Sequence, residues 1–146
     1  MRPIFTHGDL VKQWVVSQLP SVDRFADTAQ AMGVVDDQNN LRAGIIYDKL
    51  SLGKDVGGTM ELSVAADSPL WPTREVLRFA FGYPFLQLGC HRIFATTTPD
   101  NDQANRILLH LGFVFEGRLT EGYPDRQDAN VYRMLRRECR WIGDRT

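Results

Sequence analysis

The segment spanning residues 60–97 constrains the fold more than any other part of the chain, because it contains a strand, a helix and a strand in succession. Residues 60–66 alternate large apolar side chains with smaller or polar ones, as a half-buried strand does. Residues 72–88 carry an apolar stripe with helical spacing, and residues 90–97 are rich in β-branched side chains. Units of this length join parallel strands through a right-handed crossover. We therefore expect two parallel strands at the centre of a sheet.

The flanking segments predict further helices and strands. A helix of residues 9–18 places Leu10, Trp14 and Val15 on one stripe, with Pro20 as its stop. The remaining predicted elements are a short helix at residues 21–26, a hairpin of strands at residues 32–35 and 41–47, a helix that ends at Gly112, and strands at residues 113–119 and 129–135.

Glycine and proline mark the breaks and ends of these helices. Gly82 and Pro84 interrupt the helix of residues 72–88, because proline lacks a donor and clashes with the carbonyl four residues back. Gly112 tolerates a positive φ and follows an apolar face with helical spacing. The order of elements predicts an α/β fold, with a mixed, mostly antiparallel sheet and flanking helices. The apolar face before Gly112 comprises Ala104, Ile107, Leu108 and Leu111.

The composition favours a single domain, residues 1–146, since 146 residues with 43% apolar content form one sizeable core. The 17 basic and 18 acidic residues nearly cancel, which argues against nucleic acid or an anionic membrane surface as a partner. Cys90 and Cys139 are far apart and the histidines lack ligand spacing, so we expect neither a disulfide framework nor a metal. No apolar run approaches a membrane span and the first residues lack a signal-peptide core, so we expect a cytoplasmic location.

The residues between Asn101 and Leu135 form a combination that resembles the GNAT superfamily of acyl-CoA-dependent N-acyltransferases. Members read Asn-x-x-Ala or Ser, then seven residues, then Gly-Phe and, a little further on, Glu-Gly. The matching residues here are Asn101, Ala104, Gly112, Phe113, Glu116 and Gly117. Features similar to the ribosomal-protein N-terminal acetyltransferase branch follow at Arg118, Asp128, Tyr132, Met134 and Leu135. Residues 71–74 and 83–85 also resemble a sub-branch found in phages and prophages.

This resemblance implies a GNAT fold and acetyl-CoA as co-substrate. In that fold two parallel strands splay apart, the pantetheine arm bonds to strand backbone in the gap, and the pyrophosphate rests on a helix N-terminus. The splayed strands here would be residues 60–66 and 90–97, and the phosphate turn would be residues 69–75. The residues expected to contact acetyl-CoA are Val64, Ala65, Ala66, Thr73, Arg74, Glu75, Asn101 and Ala104.

The phosphate turn departs from the family pattern. Members place glycines at two positions that fall on Pro72 and Arg74 here, and neither residue allows the same approach of backbone to phosphate. One interpretation is that Arg74 compensates through a charge-assisted phosphate contact. The other interpretation is that the site is degenerate and binds no CoA.

The catalytic groups follow less directly from the sequence. Transfer from a thioester to an amine needs a neutral amine, a stabilised oxyanion and a proton for the thiolate. Glu61 lies on a central strand, where it acts as a base or water-positioning group, forms an ion pair or reaches solvent. Tyr132, Tyr123 and Tyr83 are chemically competent acids, with packing as the alternative role; Tyr132 also falls on the branch pattern. Asn101 contacts the cofactor, caps its helix, or does both.

These features predict an N-acetyltransferase that moves an acetyl group from acetyl-CoA to a primary amine of a protein, peptide or small molecule. The alternative is a GNAT-fold binding or structural module whose CoA site has degenerated. A phage-type enzyme that modifies nucleic acid is a third option, against which the balanced charge argues. The late strands offer an edge for pairing across a two-fold axis, so a homodimer is compatible with the sequence.

Overall fold

The protein is described by a computed structural model covering residues 1–19 and 21–143, so the predicted helix stop at Pro20 lies outside the described residues. The strands are β1 (Arg2–Ile4), β2 (Gln30–Val35), β3 (Leu41–Leu52), β4 (Gly58–Ala66), β5 (Arg92–Thr97), β6 (Val114–Leu119) and β7 (Ala129–Leu135). The α-helices are α1 (Gly8–Gln18), α2 (Arg74–Gly82) and α3 (Asp102–Leu111). Within the described residues the strands form one seven-stranded sheet in the order β1-β2-β3-β4-β5-β7-β6.

The sheet is mixed, as the sequence predicts. β4 and β5 run parallel, and every other neighbouring pair of described strands is antiparallel. The crossover from β4 to β5 contains α2, which confirms the strand–helix–strand prediction. The edge strand β1 is not predicted from the sequence, because only three residues form it, through pairing with β2.

Two apolar clusters lie on opposite faces of the sheet. The larger cluster packs α2 and α3 against the central strands, and it includes Phe85, Ile93 and Met134, each with 0% exposure. The smaller cluster packs α1 against the sheet through Val11 and Val15. Removal of these side chains from water is the main source of stability in such a fold.

Helix α1 is rotated relative to the sequence prediction. Leu10 is 60% exposed, so its place on the predicted buried stripe is wrong, and Val11 is buried instead. The reason is the close approach of α1 to β3 at Gly44, where a Cβ atom would clash with Val15. A glycine on the facing strand therefore decides which side of the helix packs, and a helix-only pattern does not contain that information.

Helix α2 continues into a π-helix at Tyr83–Gln87, where the sequence predicts a kink or break. Pro84 has no N–H to donate to the carbonyl of Ala80, four residues back. The buried hydroxyl of Tyr47 donates to that carbonyl instead, at 2.6 Å. A bond of 3.0 Å from the Leu88 amide to the Tyr83 carbonyl then closes the wider turn. The predicted interruption is confirmed, and a strand residue stabilises it.

The predicted short helix at residues 21–26 is wrong. The segment holds a turn, with a 3.5 Å bond from the Val22 amide to the Leu19 carbonyl, and then runs without regular structure to β2. Phe25 packs against the smaller cluster, so tertiary contact overrides the weak local helix preference. Among the described helices, none combines the length and apolar character needed to cross a membrane.

Candidate active site

The parallel strands β4 and β5 separate partway along their length. Three residue pairs join them, the last being Glu61 with Phe94, and no pairing continues between residues 62–66 and 95–97. The gap is a narrow cavity of about 50 Å³, which we call the slot. Strand edges that face such a gap carry backbone N–H and C=O groups available to an extended ligand. The strand walls of the slot are Leu62, Ser63, Val64, Ala95, Thr96 and Thr97.

Helix α3 contributes the next wall of the slot through Asn101, Ala104, Ile107 and Leu108. Asn101 is the N-cap of α3, and its Oδ1 accepts a bond of 3.2 Å from the Ala104 amide. The capping role of Asn101 is therefore confirmed, whereas its contact with a cofactor stays a prediction. The helix ends at Gly112, as predicted, with a φ of 105° that glycine adopts without strain.

A wider cavity of about 650 Å³, which we call the outer cleft, adjoins the slot at Ile107, a residue that lines both. The outer cleft lies between α3 and the turn that precedes α2, where Ala66, Pro69 and Pro72 line it. Trp71 is only 2% exposed and packs into the larger cluster, so its ring forms a wall and leaves the cleft open. The slot and the outer cleft therefore lie side by side, and the lining of the outer cleft reaches Pro72, two residues before the first residue of α2.

The start of α2 carries free backbone donors. Thr73 is the N-cap, and its Oγ1 accepts a bond of 3.3 Å from the Val76 amide. Within the described residues, the first-turn amides of Arg74 and Glu75 have no acceptor. Such amides and the helix dipole favour an anion. Pro72 precedes the helix, so its missing N–H removes no donor from this first turn.

Two arginines near the outer cleft differ in placement. Arg74 is exposed and is absent from the described residues that line the cleft. Arg106 lines the cleft from α3, together with Gln103 and His110. The sequence prediction missed Arg106, although the spacing of residues 103, 106 and 110 places all three on one helix face beside the apolar stripe. That spacing is the signal from which Arg106 could have been found.

The residues predicted on β4 divide between the two faces of the sheet. Val64 lines the slot, Ala66 lines the outer cleft, and Ala65 packs into the smaller cluster beneath α1. Glu61 shares the face of Ala65, because side chains alternate along a strand. Lys49 Nζ lies 3.2 Å from the carboxylate of Glu61, whose side chain is 16% exposed. The ion-pair interpretation of Glu61 matches this geometry, and Glu61 is absent from the described slot-lining residues.

Tyr132 lies behind the slot. Its side chain is 3% exposed, and its hydroxyl donates to Asn105 Oδ1 at 2.8 Å. The Thr97 hydroxyl bonds to the same oxygen, and the Asn105 amide donates to the Pro99 carbonyl at 3.3 Å. Burial raises the pKa of Tyr132. The structure does not bring Tyr132 to the slot: among the described residues it lines neither the slot nor the outer cleft.

Tyr123 is the tyrosine that reaches the slot. It lies half-buried in the β6–β7 connection, and its hydroxyl donates to Thr96 Oγ1 on the β5 wall at 2.9 Å. Burial raises the pKa of Tyr123, and the bond to Thr96 opposes that shift only in part. The negative charges of Glu61 and Asp125 raise this pKa further. Tyr123 therefore keeps its proton at neutral pH.

Two loops border the mouth of the slot near Tyr123. Gln127 Nε2 donates to Ser21 Oγ at 2.8 Å, which joins the β6–β7 connection to the segment after α1. Leu19 and Val22 from that segment also line the slot. Side chains on such loops can vary without disturbing the sheet, which suits them to selecting a ligand.

Thiol and metal chemistry have little support in this region. Cys90 and Cys139 are free, and burial raises the pKa of both thiols, which disfavours the nucleophilic thiolate. Neither cysteine is among the described residues that line the slot. In the part of the chain that the structure describes, no group of three or more histidine, cysteine, aspartate or glutamate side chains is placed to hold a metal ion.

Comparison with known sequences gives a partial match. No protein-family model matches the chain. Over 67 residues the chain is 39% identical to the uncharacterised N-acetyltransferase YoaA of Bacillus subtilis (strain 168), an alignment covering 42% of this chain. The chain spans 37% of the length of that relative, so the match concerns only part of it.

Solved structures match the whole fold. A chimera of spermidine N-acetyltransferase SpeG from Vibrio cholerae and hSSAT superposes with a TM-score of 0.70 at 16% identity, covering 98% of this chain and 100% of that one. Mutant forms of the spermidine/spermine N-acetyltransferase SpeG from Vibrio cholerae give a TM-score of 0.66 at 16% identity, covering 93% and 95%. The predicted α/β architecture with a splayed parallel pair is confirmed, and it is the GNAT-type N-acetyltransferase fold.

Proposed function

We propose that the chain is an N-acetyltransferase that transfers an acetyl group from acetyl-CoA to a primary amine by direct attack. The observation that carries this proposal is the slot between β4 and β5 with the outer cleft beside it, whose lining reaches Pro72, two residues before the first residue of α2. The slot suits an extended thioester arm, and the free amides that follow Pro72 at the start of α2 suit a pyrophosphate. The partial match to an N-acetyltransferase supports the same activity.

The proposed cofactor contacts follow that path. The backbone of Val64, Ala65 and Ala66 would bond to the pantetheine arm and the thioester oxygen, because the edge of β4 that faces β5 has no partner strand there. Asn101 and Ala104 would contact the arm from α3. The pyrophosphate would meet the start of α2, with Thr73 as the cap and the Arg74 and Glu75 amides as donors. Arg106 would add a positive charge from the opposite wall.

The proposed chemistry needs a base and an acid near the thioester. The amine nitrogen attacks the carbonyl carbon, the carbon–sulfur bond breaks, and the amine releases a proton through water to Glu61. Tyr123 gives its proton to the departing thiolate sulfur and regains one from solvent. We place Tyr123 rather than Tyr132 in this role, because Tyr123 lines the slot while the Tyr132 hydroxyl already donates to Asn105.

The acceptor is proposed to carry positive charge as it approaches. The negative charges of Glu61 and Asp125 raise the pKa of Tyr123, and a positively charged acceptor at the mouth of the slot would be attracted to the same two side chains. The matching structures are named as spermidine N-acetyltransferases, which makes a polyamine one candidate acceptor. The resemblance to the ribosomal-protein branch makes a protein N-terminal amine the other candidate. Assays with spermidine and with an N-terminal peptide would separate them.

Several finer predictions remain part of this proposal. A cytoplasmic location and a phage or prophage source rest on the sequence alone. A homodimer is supported by the edge strand β6, on which Phe115 is 50% exposed and Leu119 is 53% exposed. We expect light scattering to give twice the monomer mass, and Phe115→Asp to return the monomer if this edge forms the interface.

The alternative function is a non-catalytic module that binds no CoA, and a thermal unfolding experiment separates the two. Acetyl-CoA at a hundred times its dissociation constant should stabilise the enzyme by about 2.7 kcal/mol. Release of free CoA in the presence of an amine should then report turnover. No change in unfolding at millimolar acetyl-CoA would favour the module.

A further inference from the structure

A third cavity, of about 600 Å³, lies on the other side of α2 from the outer cleft, against β2 and β3. None of the described residues that line it lines the slot or the outer cleft. We call it the aromatic cavity, after four of its lining residues. Its volume falls in the range of small-molecule sites, about 300–1,000 Å³. The proposed transferase reaction uses none of its residues, so the side chains that line this cavity need a separate explanation.

Four aromatic rings form the walls of the aromatic cavity. Phe5 and Phe79 meet edge to face with centroids 5.8 Å apart, and Tyr47 and Tyr83 do so at 4.9 Å. Phe5 is 60% exposed and Phe79 is 47% exposed, so their outer faces are not covered by the described residues. Exposed ring faces of this kind bind flat apolar groups by stacking or edge contact.

Gly82 keeps this cavity open. It is helical, with a φ of −62°, a value that any residue adopts. A Cβ atom added at Gly82 would have no heavy atom within 4 Å, so packing does not require glycine here. Glycine also weakens a helix relative to alanine. The fold therefore gives no reason for glycine at this position, and the physical effect of its missing side chain is free volume in the cavity that Gly82 lines.

Arg78 supplies the only charge among the described residues that line the aromatic cavity. No described residue forms an ion pair with it, in contrast to Arg42, Arg92, Arg118, Arg126 and Arg133. Gln30 and Gln87 add side-chain amides to the same lining. An unpaired guanidinium beside aromatic rings complements a ligand that is both flat and negatively charged.

We propose that the aromatic cavity is a second binding site, which takes a planar aromatic anion such as an aromatic carboxylate. The ring of the ligand lies between Phe79 and Tyr83 over Gly82, and its anionic group meets the Arg78 guanidinium. Charge complementarity and the open floor at Gly82 select this class over a neutral aliphatic or a cationic ligand.

The test uses naphthoate as the probe and naphthylmethylammonium as its cationic counterpart, with calorimetric titration of the full chain. The wild-type protein should bind naphthoate at least about tenfold more tightly than the cation, since the two differ mainly in charge. A Cβ atom at position 82 meets no heavy atom within 4 Å, so Gly82→Leu should occupy the cavity and weaken naphthoate binding by at least about tenfold. Arg78→Gln should weaken it by a similar factor and remove the preference for the anion.

Matched controls keep the result specific. Gly117→Leu adds the same side chain at a glycine where a Cβ atom also meets nothing within 4 Å, and Arg24→Gln removes an exposed arginine elsewhere. Both should bind naphthoate as the wild type does. The proposal is overturned if naphthoate does not bind, if Gly82→Leu binds it unchanged while remaining folded, or if acetyl-CoA displaces it competitively, which would place it in the outer cleft.

Discussion

The two edges of β5 differ in how far they are paired. Towards β7 the pairing runs through six residue pairs, from Arg92 with Leu135 to Thr97 with Asn130. Towards β4 it stops after three pairs, at Phe94. One edge is thus satisfied by the sheet, and the other leaves backbone groups facing a cavity. β4 likewise stays paired with β3 through Ala66, so the slot comes from the separation of β4 and β5 from each other and not from a weak or short β5.

Two threonine–tyrosine arrangements, each with its threonine on β5, show the same contrast. Thr97 and Tyr132 both hydrogen-bond to Asn105 of α3. These three side chains form a buried group whose hydroxyls have their hydrogen-bond partners within the group. Thr96 and Tyr123 bond to each other at the slot, where a ligand can reach them. The same residue types therefore have a packing role on one face and a proposed chemical role on the other.

Blocking the slot should have the largest effect. Ala104→Trp places an indole where the thioester arm would lie, and we expect acetyl-CoA affinity to fall by at least about 100-fold, or about 2.7 kcal/mol. The matched control is Leu109→Trp on the 53% exposed side of the same helix, which should bind normally. Calorimetric titration compares the two. Equal affinities would mean that the cofactor does not occupy the slot.

Removing the hydroxyl of Tyr123 should have the next largest effect. In Tyr123→Phe we expect kcat to fall by about 100-fold, the usual loss when a general acid is removed, with unchanged acetyl-CoA affinity. Tyr132→Phe is the matched control, because its hydroxyl does not reach the slot. A larger loss of kcat in Tyr132→Phe than in Tyr123→Phe would reverse the assignment of the acid.

The pH profile should sharpen the same assignment. The pKa of Tyr123 is raised, so its proton is retained through neutral pH and is lost only as the pH rises through that raised value. We expect kcat to fall on the alkaline side above the ordinary tyrosine pKa of about 10, by about tenfold per unit. Tyr123→Phe should lack this alkaline limb. An alkaline limb that persists in the variant would assign it to another group.

Removing a hydrogen bond from the buried group of Thr97, Tyr132 and Asn105 should lower the stability of the protein and leave the reaction rate unchanged. Tyr132→Phe removes one of the two donors to Asn105 Oδ1, and we expect it to lower the free energy of unfolding by about 1 kcal/mol. Tyr123→Phe should cost less, because its partner Thr96 lies at a cavity open to water. Urea unfolding measures both. The reverse order would contradict the packing role of Tyr132.

The smallest effect should come from the arginines of the outer cleft. Arg106→Gln should weaken acetyl-CoA binding several-fold, about 0.5–1 kcal/mol, with less dependence on salt, since exposed charges are screened. Arg74→Gln should do less, because Arg74 does not line the cleft, although its amide remains in place. If Arg74→Gln has the larger effect, its side chain reaches the phosphates as the sequence interpretation of Pro72 and Arg74 suggests.

Much of the fold can be predicted from the sequence, because the residues that determine these elements lie close together in the chain. The Gly112 helix end, the apolar face of α3 and the break at Pro84 depend on nearby residues, and all three are confirmed. The partner of that break, Tyr47, lies 33 residues away and has no local signal. The rotation of α1 likewise depends on Gly44 of a facing strand.

The site is harder to predict from the sequence, because contacts between residues far apart in the chain determine which side chains reach it. Asn101 and Ala104 were found because a motif of fixed spacing carries them, and both line the slot. Tyr132 is also part of a motif, yet its side chain is buried. Tyr123 sits in a loop whose position is set by contacts such as Gln127 with Ser21, which no periodicity encodes. Motif residues and slot-lining residues therefore overlap only in part in this protein.

Amide hydrogen exchange with and without acetyl-CoA is the most direct test of the central claim that the unpaired edges of β4 and β5 hold the cofactor. We predict slower exchange on binding in residues 62–66 and at the start of α2, with no change in β7, whose pairing with β5 is already complete. Stabilisation of the protein by acetyl-CoA without any change in residues 62–66 would contradict the account.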